Sequence, residues 1–237
     1  MRRFAISDIH GCAKSFKALL KQIQLTNRDE LYLLGDYIDR GPDSKGVLDL
    51  IFKLQNNNFK VKCLKGNHED MLLKGLHDHE QRYMWKVNGG KIALESFGAN
   101  EVIDIPSKYL DFLEGLDDYF DLDDYLLIHA GLDFNMPNPL DGKYSLLWKR
   151  GWYRDIDYEW LGDQIVIHGH TPISRKLIET DVQRLKERQV LNIDAGCFLS
   201  YAKDKGHLCA FEMNSKQLYF QNNVDDMNAY YGIIRSD

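Results

Sequence analysis

The chain of 237 residues carries 30 Lys and Arg against 36 Asp and Glu, a net charge of −6, with 44% apolar and 28% charged residues. That is the composition of a soluble globular protein long enough for one substantial core, and its acidic balance argues against a general nucleic-acid binder, which needs a basic stripe. No run approaches the roughly 20 apolar residues that cross a bilayer, so no membrane partner is expected.

Arg3-Phe4-Ala5-Ile6 reads as a first strand ending in Ser7-Asp8-Ile9-His10-Gly11. A strand this close to Met1 leaves no room for a signal peptide. Cys12, Cys63, Cys197 and Cys209 show no C-x-x-C spacing, so a reducing cytoplasm is expected rather than a disulfide framework. Phe16, Leu19, Leu20 and Ile23 recur at helical spacing. Leu31–Leu34 is a second strand, and it delivers the central loop, Gly35-Asp36-Tyr37-Ile38-Asp39-Arg40-Gly41-Pro42-Asp43-Ser44. Val47, Leu48, Ile51 and Leu54 mark another helix, and Phe59–Leu64 is a third strand before Gly66-Asn67-His68-Glu69. Strand, polar loop and helix have then occurred three times, which predicts βαβ units and a largely parallel sheet.

Residues 71–118 read as mostly helical, with His77 and His79 in a solvated acidic patch. Tyr125–Ile128 is a strand running into His129-Ala130-Gly131, and an irregular stretch extends from Leu132 to about Trp160. Gln164–Ile167 is a strand that ends in His168-Gly169-His170-Thr171-Pro172. The charged segment from Arg175 to Arg188 reads as an exposed excursion. Three late runs, Val190–Ile193, His207–Met213 and Gln217–Phe220, read as strands closing a second sheet. No repeat or linker divides the chain, so one α/β domain over residues 1–237 and a monomer are expected.

At the strand ends stand Asp8, His10, Asp36, Asn67, His129 and His170. In open α/β sheets ligands sit at that edge. Two carboxylates, one amide oxygen and three imidazoles suit Mn²⁺, Fe or Zn²⁺, and the absence of thiolate argues against a structural zinc site. One carboxylate can bridge two metals roughly 3.5–4 Å apart, and water between them is acidified into a nucleophile.

With Ser7–Gly11, Gly35–Gly41, Gly66–Glu69, His129–Gly131 and Gly169–Thr171 in order, the chain resembles the phosphoprotein phosphatase branch of the calcineurin-like metallophosphoesterases, above all its compact bacterial members. The resemblance runs from Asp8 to Pro172. It implies a four-layer αββα sandwich with two mixed sheets and a dinuclear centre between them. The first metal would take Asp8, His10 and Asp36; the second would take Asp36 as bridge, with Asn67, His129 and His170. Two divalent ions are therefore expected, Mn²⁺ first, with Fe or Zn²⁺ as alternatives. The resemblance and the chemistry make His68 the general acid and Asp39 the carboxylate that fixes its tautomer. Arg40 offers a planar fork for phosphate oxygens beside Asn67, and Arg150 is the second phosphate-binding arginine. For Arg150 a surface arginine packed on Trp148 is the alternative. Ser7 departs from the glycine of the first motif, and Thr171-Pro172 lacks the extra histidine of G-H-x-H relatives; His168 reads as a neighbour rather than a ligand.

These residues imply a cytoplasmic phosphomonoesterase, a serine/threonine protein phosphatase acting on phosphoproteins or phosphopeptides, on phosphotyrosine and on small aryl phosphates. The alternatives are dinucleoside polyphosphate hydrolysis, polynucleotide end-healing, and a non-catalytic metal-binding adaptor. Trp148 and Trp160 are expected to pack a loop onto the core, and Trp152 or Tyr153 to form the rim of a groove beside the metals.

Overall fold

The computed structural model describes residues 1–234, so the last three residues of the expected domain lie outside the described residues. Strands β1 (Arg3–Ile6), β2 (Glu30–Leu33) and β3 (Lys60–Cys63) alternate with helices α1 (Ala13–Gln22) and α2 (Ser44–Asn56). A helical stretch follows, α3 (Asn67–Gly75), α4 (His79–Trp85), α5 (Lys91–Phe97) and α6 (Ser107–Glu114). Then come β4 (Tyr119–Asp121), β5 (Tyr125–Ile128), α7 (Lys143–Trp148), α8 (Tyr158–Leu161) and β6 (Ile165–His168). The chain continues through α9 (Arg175–Asp181), α10 (Leu185–Arg188), β7 (Val190–Asn192), β8 (His207–Glu212), β9 (Gln217–Asn222) and α11 (Asn228–Ile234).

The strands form two sheets, in the orders β3-β2-β1-β8-β9 and β4-β5-β6-β7. Both are mixed: β1, β2 and β3 run parallel, as do β5, β6 and β7, while β8, β9 and β4 pair antiparallel. The period of two in each strand sorts side chains into layers. Ala5, Tyr32 and Leu34 face Leu127, Ile167 and Leu191 of the other sheet in one buried cluster. Phe4, Ile6, Leu31 and Leu33 face outward onto Phe16, Leu19, Val47 and Leu48 of α1 and α2. Leu126, Ile128 and Val166 face outward onto Leu146, Trp152 and Leu161. The result is helix, sheet, sheet, helix, the expected four layers.

Two expectations are corrected. Only Val190–Asn192 joins the second sheet; the runs at 207–213 and 217–220 extend the first, because β1 is the open edge of the parallel trio and β8 pairs against it. The segment from Arg175 to Arg188 is not an excursion. It folds as α9, a 3₁₀ turn and α10, and buries Ile178 and Leu185 in the core between the sheets, each worth about 1.5–3 kcal/mol. Residues 132–160, read as irregular, hold the short helices α7 and α8. All four cysteines are free and buried. Among the described residues no helix is long and apolar enough to cross a membrane.

Candidate metal centre

The carboxyl ends of β1, β2, β5 and β6 meet at one place, and the chain bends sharply to present side chains there. Asp8, His10, Asp36, Asp39, Arg40 and His170 all have positive φ, from 46° to 71°, a conformation that is strained for residues with a Cβ. Strain of this kind persists only where the surroundings over-determine the loop. Glu69, fully buried in α3, supplies that determination: Oε2 accepts from the N–H groups of Asp36 and Gly66 at 2.9 Å each, and Oε1 from those of Tyr37 at 2.8 Å and Ile38 at 3.3 Å. Gly35, at φ 92°, passes so close to α3 that a Cβ would lie 2.6 Å from Gly66 N and 2.9 Å from His129 Nδ1. A Cβ at Gly169 would fall on Asp8 Oδ2. Sequence reading gave Glu69 no role beyond its motif. Glu69→Gln would turn an amide N–H₂ toward these donors. It is expected to lower stability by about 1–3 kcal/mol, seen as a lower denaturation midpoint in chelator; an unchanged midpoint would mean the loop is held without the carboxylate.

Five of the six expected ligands converge. His10, Asp36 and His68 offer atoms within 4.8 Å of one another, and so do Asp36, His129 and His170. Asp36 belongs to both groups, with Oδ2 3.4 Å from His10 Nε2 and Oδ1 3.5 Å from His129 Nε2. Asn67 Oδ1 lies 3.0 Å from His129 Nε2 and 2.8 Å from His170 Nδ1. His10 Nδ1 donates to Ile38 O at 3.0 Å and His129 Nδ1 to Leu34 O at 2.8 Å. Those bonds fix the tautomers and turn the Nε2 lone pairs inward, as a metal requires. Asp8 is buried beside the two groups but outside them; both its oxygens accept from His170 N, at 3.1 and 3.0 Å. His168 points away, bonded to Tyr153 Oη at 2.7 Å.

His68 Nδ1 and Asp39 Oδ2 are 2.6 Å apart, and Trp85 Nε1 donates to both oxygens of Asp39 at 3.0 and 2.9 Å. The ring of His68 crosses that of His10 at 4.7 Å, and its Nε2 is 4.0 Å from Asp36 Oδ2. Arg40 Nη1 donates to His10 Nε2 at 2.7 Å, and its guanidinium lies 4.3 Å over the ring of Phe198. Arg150, exposed, donates from Nε to His170 Nε2 at 3.2 Å. The candidate ligands, His68, Asp39 and the two arginines thus lie at or beside one cluster. Trp85 and Phe198 were missed, since nothing local marks a contact made across 46 residues or more.

Burial, with the charge of Arg40 next, pushes the His68 imidazole down, and burial pushes the Asp39 carboxyl up. Burial lowers His129 to about 4 and His170 to about 2, so both are neutral lone-pair donors at ordinary pH. Burial raises Asp36 to about 7, with the charge of Asp194 adding. Inward lone pairs from neutral imidazoles, an amide oxygen and buried carboxylates leave acceptor facing acceptor, a donor set that a divalent cation fits.

The expected rim is corrected for Trp152. Trp152 is 1% exposed, donates to Ala130 O at 3.1 Å and fills the space left by Gly131, where a Cβ would meet its ring. Tyr153 is tied to His168. Trp160 packs as expected, against Phe134. Trp148 packs partly onto the core as expected, yet its ring also lies 6.1 Å from that of His170, and Tyr144, 75% exposed, stacks on it at 19°. Beside them runs a groove of about 370 Å³, lined also by Lys65, Lys74, Lys143, Asp70 and Asp118.

A family model for calcineurin-like phosphoesterases matches residues 1–198. A symmetrical bis(5'-nucleosyl)-tetraphosphatase from Wigglesworthia glossinidia brevipalpis is 47% identical over 74 residues, 31% of this chain and 26% of that protein. Serine/threonine-protein phosphatase 1 from Salmonella typhimurium is 26% identical over 189 residues, 73% of this chain and 80% of that one. A solved serine/threonine phosphatase from Saccharomyces cerevisiae superposes with a TM-score of 0.64 at 13% identity, over 95% of this chain and 81% of its own, a likeness of fold alone. The chain spans 26%, 24% and 46% of the lengths of the first curated relatives it matches. With the strand-end motifs gathered in one site and the family model covering residues 1–198, the chain belongs to the calcineurin-like phosphoesterase family.

Proposed function

We propose that the chain is a metal-dependent phosphomonoesterase acting on phosphoserine and phosphothreonine in proteins, and also on phosphotyrosine and small aryl phosphates. One ion would be held by Asp8, His10 and Asp36, the other by Asp36, Asn67, His129 and His170, with Mn²⁺ the first candidate and Fe or Zn²⁺ next. When bound, such a pair supplies Lewis acidity and acidifies water into a nucleophile at neutral pH. Arg40 and Arg150 hold the phosphoryl oxygens and offset the charge that builds on them as the phosphorus–oxygen bond breaks. His68, taking a second proton at Nε2 once the phosphate dianion is bound beside it, delivers that proton to the departing oxygen, while Asp39, fixed by Trp85, holds the Nδ1–H.

The His68–Asp39 pair, 2.6 Å apart, carries this reading. A serine or threonine alkoxide is a poor leaving group and needs that proton, whereas the phosphate expelled from an anhydride does not. An adaptor that only bound metal would need neither residue. The match to a serine/threonine-protein phosphatase over most of both chains supports this substrate class. A second reading, hydrolysis of dinucleoside polyphosphates, is equally supported by a match of similar extent to an asymmetrical bis(5'-nucleosyl)-tetraphosphatase from Oceanobacillus iheyensis. It is favoured by the exposed Tyr144 ring, on which a purine can lie. Steady-state kinetics with the Mn²⁺-loaded enzyme separates the two. Phosphopeptides should exceed dinucleoside tetraphosphate and nucleotide-ended oligonucleotides in kcat/KM, and the reverse order would replace the first reading by the second.

A further inference from the structure

The carboxyl ends of β1, β2, β5 and β6 supply residues already placed in the centre, and β7 reaches the same edge with Asp194. β6 and β7 are parallel with His168 opposite Asn192, so His170 and Asp194 stand the same two steps beyond neighbouring strands. His170 gives its N–H to the carboxylate of Asp8. The loop that Asp194 opens crosses the site at Phe198, whose ring is 4.9 Å from that of His10.

Asp194 is 1% exposed. Its Oδ1 accepts from Gly196 N at 2.8 Å, and its Oδ2 has no hydrogen-bond partner. A turn at Gly196 explains the first oxygen and leaves the second unexplained: asparagine or serine could accept the same N–H without bringing a charge into the interior. Burying a carboxylate with an open lone-pair side is costly unless a cation answers it. After burial, the charge of Asp8 is the largest influence raising the Asp194 carboxyl.

We infer that Asp194 belongs to the metal-holding charge of the centre, tightening the cation at the Asp8 end. It lies outside both groups of atoms at mutual ligand distance. It therefore acts on the cation through Asp8 and solvent, as a positioning residue and not as a ligand. Partners of this kind beyond the liganding atoms typically change metal affinity about 10–100-fold. The inference rests on the metal-dependent reading above.

The test is equilibrium dialysis with Mn²⁺, together with thermal melts in chelator, on the wild type, Asp194→Asn and Asp194→Ser. One Mn²⁺ site should weaken about 10–100-fold in both variants and the other should hold. The chelated variants should melt above the chelated wild type, because a buried carboxyl with an unanswered oxygen has gone. A purely structural turn residue gives the opposite: unchanged Mn²⁺ affinity and a lower melt. Either of those results, or a variant unfolded in chelator where the wild type is folded, overturns the inference. A wild type that binds no Mn²⁺ defeats the underlying reading instead.

Discussion

His68→Ala should keep both metals yet lose about 10²–10⁴-fold in turnover of alkyl phosphates such as phosphoserine. Aryl phosphates, whose phenolate departs without a proton, should lose much less. The expectation follows from how firmly the proton donor is set. Asp39 is fully buried and held by the indole of Trp85, and Asp39 in turn fixes Nδ1 of His68 at 2.6 Å. Only Nε2 is left to act, and it faces the cluster 4.0 Å from Asp36. The same position puts His68 at ligand distance from His10 and Asp36, so the variant discriminates sharply. Loss of a metal on substitution would make His68 a ligand, and equal losses across leaving groups would reduce it to positioning.

Asp36→Asn is expected to abolish hydrolysis, by about 10³-fold or more given the several kcal/mol that metal-assisted charge stabilisation supplies. Asp36 is shared by both groups of converging atoms, one oxygen toward His10 and the other toward His129. An amide keeps the shape and loses the charge that both cations share. The chelated protein should respond in the other direction. Burial raises the folded pKa of Asp36 from 3.8 to about 7, so its ionisation costs stability that is lost progressively as pH rises through that window. Above pH 7 the chelated variant should therefore melt higher than the chelated wild type. A variant that melted lower and still hydrolysed phosphate would show that Asp36 is a loop residue only.

Much of this was legible from short-range pattern. Phe4-Ala5-Ile6 and Leu31–Leu34 show apolar runs stopped by charged turns, and each turn carries a candidate ligand within three residues of the strand's end. Such motifs need no knowledge of distant contacts. The layer assignments of β8 and β9 did need it, because both read as strands in isolation and only the open edge of β1 decides where they pair. The aromatic rim failed for a related reason. Trp148 and Trp152 are four residues apart in a stretch without strong periodicity, and the empty space above Gly131 selects which one is buried. Arg175–Arg188 looked solvated because its charges outnumber the two residues, Ile178 and Leu185, that dock it. Asp194 had a signal that went unused: it stands two residues beyond the end of β7, as Asp8 stands two residues beyond the end of β1.

The most direct test of the dinuclear reading is elemental analysis of purified protein after Mn²⁺ loading and removal of free metal, run beside Asp36→Asn. The wild type should carry close to two metal ions per chain and the variant less than one. A single tightly held ion per chain, retained when Asp36 is replaced, would contradict a bridged pair and with it the proposed chemistry.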